Sequence, residues 1–344
     1  VMMKFKQASR RCFNLLRCKH HSIIFNWQLD RVNVLKYLLT ILAMFYVFCP
    51  FRYASSNYYY IPTGQVNLSS FIGNTPYNSL KCPFISQNIM LTNVPIEKVV
   101  TDDSLDDELV RRNIQPGGFW SPLHCEPRFE VAVLVPYRNR PYHLNPFLFH
   151  MHKFLQLQNL QYKIYIIEQE LGSGFNRGKL FNVGFTLARQ QSNVSCFIFH
   201  DIDLLPQVLG NVYACTEDPR HMSSSVNTFR YNLLYEGLFG GVISMSAHQF
   251  TKINGFSNQF YGWGGEDDDL RRRLKQNGMS ITRLDPELSR YYMLSHPKAL
   301  PNEQRFEALQ QAEKSFDADG LGNLTFGVKD YRLHDYYTWY LVEI

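Results

Sequence analysis

The strongest constraint on the fold is the unbroken apolar run Val131-Ala132-Val133-Leu134-Val135. Successive side chains of a strand point to opposite faces, so a strand with no polar alternate must be covered on both sides. The run stops at the polar turn Pro136-Tyr137-Arg138-Asn139-Arg140, and a helical apolar stripe follows from Leu144 to Leu157. Tyr162 to Ile167 reads as a second strand, Lys179 to Ala188 as a helix, and Cys196-Phe197-Ile198-Phe199 as a third strand. This alternation predicts an α/β domain with right-handed crossovers and a mainly parallel sheet. Ligands of such sheets bind beyond the carboxyl ends of the strands. The Pro136–Arg140 turn and the turn His200-Asp201-Ile202-Asp203 are therefore expected beside one site.

Asp201 and Asp203 flank Ile202, and in extended backbone residues two apart face the same way. Such a pair is either a solvated turn or a holder of a hard divalent cation that helps a diphosphate leave. A second acidic feature is Tyr261-Gly262-Trp263-Gly264-Gly265-Glu266-Asp267-Asp268-Asp269-Leu270, followed by a helical pattern over Leu270–Gln276 that ends at Gly278. Acids at a helix start, with Arg271, Arg272 and Arg273 beyond them, offset the helix dipole and need no function. A cap, however, needs one short polar residue rather than two aromatics and three glycines. Glycine lets backbone approach a ligand, an aromatic face stacks on a ring, and a carboxylate can take a proton. Together they suggest a site that holds a sugar and deprotonates it. Met293 and His296 lie three apart, but spacing alone does not make them metal ligands, because a thioether is a soft partner.

The chain of 344 residues is long enough for one large catalytic domain with attachments. Its net charge of +5 is local: residues 1–31 carry Lys4, Lys6, Arg10, Arg11, Arg17, Lys19 and Arg31 against Asp30 alone, which leaves the remainder near neutral. Nothing in that remainder recommends a nucleic-acid partner. Val32–Phe51 is apolar except for Asn33, Lys36 and Thr40. Its residues, at about 1.5 Å each, reach roughly 30 Å, a bilayer's hydrocarbon thickness. Basic residues crowd its N-terminal side, and after Arg52 no charge appears before Lys81. The positive-inside rule then predicts a cytoplasmic tail over 1–31, an uncleaved signal anchor over 32–51, a stem over 52–80 and a lumenal catalytic domain over 81–344. A cleaved signal peptide fits less well, since the basic region is long and no small-x-small cleavage site follows. Thr101–Glu108 reads as an exposed acidic stretch. Cys82, Cys125, Cys196 and Cys215 lie beyond the span, where an oxidising compartment allows two disulfides in three connectivities. Sequons at Asn67, Asn193 and Asn323 all fall on the same side.

Five segments occur in an order that resembles the β-1,4-galactosyltransferase family. They are Val135–Arg140, Phe175-Asn176-Arg177-Gly178-Lys179-Leu180-Phe181-Asn182-Val183-Gly184, Phe199-His200-Asp201-Ile202-Asp203-Leu204-Leu205-Pro206, Phe239-Gly240-Gly241-Val242 and Trp263–Asp269. The likeness spans about residues 80–344. It implies a GT-A glycosyltransferase fold, Rossmann-like with a mainly parallel sheet, a UDP-sugar donor, Mn²⁺ and inverting transfer to a terminal N-acetylglucosamine (GlcNAc). It further implies that Asp203, Met293 and His296 ligate Mn²⁺, and that Pro136, Tyr137, Arg138, Arg140, Phe175, Arg177, Asp201 and Ile202 serve the UDP part. Asp267 is implied as general base, Glu266 as orienting the transferred sugar, and Asp268 as binding the acceptor. Tyr235 and Trp263 are implied at the acceptor and donor sugars, and Arg305, Phe306 and Leu309 at the acceptor N-acetyl group. The implied disulfides are Cys82–Cys125 and Cys196–Cys215, and the implied location is the Golgi membrane, single-pass type II.

Three departures stand out. Gly178 replaces a common Ala and His200 a common Ser. Leu238 stands where galactose-specific members carry Tyr and N-acetylgalactosamine (GalNAc) transferring members Leu or Ile. A Leu is smaller and lacks the hydroxyl, leaving room for an N-acetyl group at the donor's C2. The expectation is therefore a β-1,4-N-acetylgalactosaminyltransferase acting on GlcNAc-terminated glycoconjugates, with a galactosyltransferase as the alternative. A lectin-like relative without activity has no need of a base, and a metal-dependent phosphodiesterase does not account for the acceptor residues.

Overall fold

The computed structural model describes residues 31–48, 57–72, 80–297, 299 and 301–344. The chain divides into two units, Val1–Arg52 and Tyr53–Ile344. In the first, α1 (Arg31–Phe48) is helical, with residues 33–45 exposed. Among the described residues no helix is long and apolar enough to cross a membrane. Residues 1–30 of the expected tail and 49–51 of the expected span lie outside the described residues.

The second unit is built on two sheets whose strands in chain order are β1 (Phe119–Trp120), β2 (Glu130–Tyr137), β3 (Gln161–Gln169), β4 (Cys196–His200), β5 (Leu204–Pro206), β6 (Arg220–His221), β7 (Ser225–Val226), β8 (Val242–Ser246), β9 (Arg290–Met293), β10 (Gly327–Leu333) and β11 (Thr338–Glu343). The helices are α2 (Gln87–Met90), α3 (Asp102–Leu109), α4 (Pro141–Leu157), α5 (Arg177–Gln191), α6 (Ala247–Lys252), α7 (Glu266–Gln276) and α8 (Arg305–Ala312). The main sheet runs β10-β11-β3-β2-β4-β8-β6, with β1 also on β3, and a small sheet runs β5-β9-β7.

The apolar run explains the layers. Val131, Val133 and Val135 enter one core together with Ile164, Ile166 and Ile198, while Ala132 and Leu134 enter the other with Tyr165, Ile167, Phe197 and Phe199. Helix α4 covers the first face through Phe147, Met151 and Phe154. Helix α5 covers the second through Leu180, Phe181 and Val183. It lies close to the sheet: a Cβ on Gly184 would come within 3.0 Å of Ile167. Both helices begin earlier than the apolar stripes suggest. Pro141 occupies the first turn of α4, where a missing N–H costs nothing, and the Asn176 side chain caps α5 by accepting from the Lys179 N–H at 2.9 Å.

The sheet is mixed, which corrects the expectation of a mainly parallel one. The centre β11-β3-β2-β4 is parallel, but β8 lies antiparallel to β4, and β6, β10 and β1 also pair antiparallel. A parallel return requires a long crossover, usually a helix. Between β4 and β8 the chain makes short strands and one 3-10 turn but no α-helix, so it re-enters the sheet reversed.

Residues 57–72, within the expected stem, belong to the second unit's core: Val66 and Phe71 are buried in its first core, and Ile61 bridges Leu284. The acidic stretch forms α3, capped by Thr101 with Ser104, and turns Leu105 and Leu109 inward. Both disulfides form as the resemblance implied, Cys82–Cys125 and Cys196–Cys215. Asn67, Asn193 and Asn323 are all exposed.

Helix α7 begins at Glu266, four residues before the expected Leu270, so the acidic run is its first turn. A buried pair fixes it: the Arg273 Nε donates to Asp269 at 2.7 Å, with both side chains 0% exposed. Arg273 also donates to the Asp319 carbonyl at 2.7 Å, tying the helix to the C-terminal segment. Removing Asp269 strips buried Arg273 of its nearer counter-charge and leaves only Asp319 at 3.6 Å, a loss of about 3–5 kcal/mol. Asp269→Ala is expected to destabilise the folded unit by that amount in urea unfolding, and a midpoint equal to that of the parent protein contradicts the assignment.

Candidate active site

Three loops meet at the carboxyl ends of β2, β3 and β4. At β2, Pro136 and Tyr137 are buried, and Arg138 turns back, donating to the Ser173 carbonyl at 2.7 Å with its guanidinium 5.1 Å from the Phe175 ring. Arg140 precedes the first turn of α4. These residues form a cationic and aromatic rim.

Past β4, the Asp201 carboxylate accepts from Arg177 Nε at 2.6 Å. The same guanidinium reaches Glu266 at 3.5 Å and donates to the Gly241 carbonyl at 3.2 Å. One side chain from the start of α5 thus joins the end of β4, the start of α7 and the turn before β8. The charges are strongly coupled. Burial, opposed by Arg177 and reinforced by Asp203, pushes Asp201 up to about 6. Burial and the neighbouring Asp267 push Glu266 up to about 7. Asp267 is also raised, first by burial. Burial disfavours the Arg177 charge, but Asp201 and Glu266 more than offset it and keep the guanidinium protonated.

Asp267 lies over Gly240, where a Cβ would come within 2.5 Å of its carboxylate oxygen. Only glycine permits that approach. Beside it Tyr235 donates to Asp268 at 2.9 Å. Leu238 is half-buried on the same loop. Trp263 is 58% exposed between glycines of positive φ, Gly262 and Gly264. Its carbonyl accepts from Asn302 at 3.0 Å, which fastens this loop to the segment before α8. Arg305 stacks on the exposed Phe306 at 4.3 Å. Leu309, expected to line an acceptor pocket, is buried in a small cluster with Phe260 and Phe316.

The small sheet assembles the remaining residues. Register pairs Leu204 with Met293, the Leu294 N–H donates to the Asp203 carbonyl at 2.7 Å, and His296 Nε2 lies 2.7 Å from Asp203. His296 Nδ1 bonds the Pro297 carbonyl at 2.9 Å, which aims Nε2 at the carboxylate. That second bond is how an imidazole is oriented toward a shared cation. The hydrogen bond to Asp203 raises the His296 pKa. Among the described residues no three His, Cys, Asp or Glu side chains cluster as a metal site. Asp203 and His296 thus stand together as an oxygen and a nitrogen donor, a pair that fits a divalent cation, while the Met293 sulfur accepts from the Thr228 hydroxyl at 3.5 Å. Ile202 is buried between the two aspartates.

Some neighbours have no signal in the sequence. His143 bonds the Ser295 carbonyl at 3.1 Å with its ring beside His296. His200 bonds Tyr213, which bonds Tyr291, a buried row beneath Asp201. Cavities of about 710 and 490 Å³ open elsewhere, and none of their lining residues belongs to this cluster.

Two family models match, the N-terminal region of glycosyl transferase group 7 over residues 82–216 and the N-terminal domain of galactosyltransferase over residues 220–297. Beta-1,4-galactosyltransferase 4 of Cricetulus griseus is 36% identical over 322 residues, covering 86% of this chain and 93% of the relative. Beta-1,4-galactosyltransferase 1 of Mus musculus is 39% identical over 289 residues, covering 82% and 72%. The catalytic domain of Drosophila beta1,4galactosyltransferase 7, solved with xylobiose, aligns with a TM-score of 0.53 at 26% identity, covering 62% of this chain and 93% of that one. With these matches and this geometry, the chain belongs to the β-1,4-galactosyltransferase family of group 7 glycosyltransferases.

Proposed function

We propose that this glycosyltransferase moves N-acetylgalactosamine from UDP-GalNAc to the 4-hydroxyl of a terminal GlcNAc on glycoprotein or glycolipid glycans, with inversion. One observation carries the donor assignment: half-buried Leu238 lies two residues before Gly240, the residue against Asp267. At that distance from the base, its volume bears on the transferred sugar, and an aliphatic side chain leaves room for a C2 N-acetyl group.

The residues divide the work. Asp267 takes the proton of the incoming hydroxyl, and Glu266 orients the donor sugar. Attack from the face opposite an α-linked UDP yields a β product in one displacement, so no protein nucleophile is needed. Pro136, Tyr137, Arg138, Arg140, Phe175, Arg177, Asp201 and Ile202 hold the nucleotide. Asp203, Met293 and His296 would hold manganese, which when bound neutralises the departing diphosphate. A related structure, the Drosophila enzyme's D211N mutant, was solved with manganese, UDP-Gal and xylobiose, which supports both the metal and the donor class. Tyr235 and Asp268 receive the acceptor sugar, and Arg305, Phe306 and Leu309 its N-acetyl group. Trp263 covers the donor and excludes water. The basic flank and apolar span at 32–51 support a single-pass type II anchor in the Golgi membrane, with the catalytic unit lumenal.

A second reading keeps the machinery and takes UDP-Gal. The relatives named as galactosyltransferases favour it. Leu238→Tyr separates the two: it is expected to shift the ratio of kcat/KM for UDP-GalNAc over UDP-Gal toward UDP-Gal by about tenfold or more. An unchanged ratio in competition assays refutes the role given to Leu238.

The pH profile tests the base. A base works ionised, so kcat/KM falls as pH drops through its pKa. Burial raises Asp267 and Glu266 together, so the acid limb is expected above the ordinary aspartate value near 3.9. A profile flat down to about that value contradicts a buried carboxylate base.

A further inference from the structure

The loop Glu236–Gly240 carries Leu238 and meets Asp267, yet within it the only backbone bond among the described residues is Leu238 N–H to the Tyr235 carbonyl at 3.1 Å. Its other backbone partners are side chains from outside. Arg283, 4% exposed, donates from one nitrogen to the Glu236 carbonyl at 2.7 Å and to the Leu238 carbonyl at 2.9 Å. Its Nε donates to His221 Nδ1 at 3.3 Å, and His221 Nε2 bonds the Gly240 carbonyl at 3.0 Å. With Nδ1 accepting, the proton of the neutral ring is on Nε2, which therefore donates. Burial and the adjacent Arg283 keep that imidazole neutral. Among the described residues no carboxylate forms an ion pair with Arg283; its guanidinium lies 5.3 Å from the ring of Tyr58. A buried cation without a paired carboxylate is costly, and here the carbonyl dipoles, a π face and the more distant Glu236 charge compensate it.

We propose that Arg283 is a positioning residue for donor choice, clamping the Glu236–Gly240 loop through the Glu236 and Leu238 carbonyls and through His221, and seated from behind by Tyr58. The clamp rests on the reading of Leu238 as facing the donor sugar. It gives the segment before the catalytic unit's expected start a part in specificity, since Tyr58 belongs to the stretch read as stem. Arg283 bonds none of the residues assigned above to the nucleotide or the acceptor, so its loss should be felt at the donor sugar alone.

The test uses the full chain with UDP-GalNAc, UDP-Gal and UDP as probes. Arg283→Met keeps length and removes the donors. It is expected to raise KM for the preferred sugar donor about tenfold and to move the donor ratio about tenfold toward unity, with the inhibition constant of UDP within about twofold. Arg283→Lys, retaining charge and a reach to one carbonyl, should restore part of the ratio. A merely destabilised enzyme loses kcat equally with both donors and keeps ratio and KM, and that result overturns the clamp. If Arg283→Met is not recovered folded, Tyr58→Leu decides: a change of about threefold in the same direction supports the clamp, and parent KM and ratio overturn it. Faster transfer from UDP-Gal in the parent enzyme contradicts the GalNAc reading alone. The clamp is then upheld if the reversed ratio and the KM still move in Arg283→Met and overturned if they do not.

Discussion

The site depends on one buried guanidinium. Arg177 sits where Asp201, Glu266 and Asp267 converge, and it is the cation that lets those carboxylates share one cleft. Two like charges at close range push one another's pKa up, and burial adds to the push. Without Arg177 the cluster would take up protons, and Asp267, the proposed base, would lose its charge. Its geometry also places the parts: by bonding Asp201, Glu266 and the Gly241 carbonyl, it brings β4, α7 and the turn before β8 to one point.

The rest of the fold can be read as support for that point. The sheet buries both faces and so fixes where β2, β3 and β4 end. Helix α7 is held from the other side by Arg273, Asp269 and Asp319, which keeps the first turn facing Arg177. The small sheet is a separate device. It pairs β5 with β9 and so brings His296 to Asp203 across more than ninety residues of chain. The acidic cluster and the Asp203–His296 pair are thus positioned independently, one by an ion pair and one by strand register.

What the sequence disclosed follows from period and contiguity. Val131–Val135 declared a strand covered on both faces, and the polar turns after it and after Phe199 marked the edge where the side chains gather. Motif order reached further than spacing, for the resemblance alone joins Met293 and His296 to Asp203, and the small sheet sets Met293 opposite Leu204 and brings His296 to Asp203. What it hid has no period. Strand β6 has two residues and edge strand β10 is mostly exposed, so neither shows a buried run, while β8 is a buried run as long as β4 whose composition carries no mark of its antiparallel direction. Val66 and Phe71 are lone apolar residues in irregular backbone, and the stretch around them reads as spacer although both are buried. Arg283 is a single basic residue between the bridging residues Thr282 and Leu284, and only the fold makes its carbonyl partners visible.

The central claim is a single displacement driven by a carboxylate base at Asp267, with no covalent sugar–enzyme intermediate. The most direct measurement is the configuration and position of the linkage formed from an α-linked UDP-sugar and a GlcNAc-terminated acceptor, read by NMR of the purified product. The account predicts a β linkage to the 4-hydroxyl. An α-linked product contradicts it, because retention requires either a nucleophile on the enzyme or attack on the same face as the departing diphosphate.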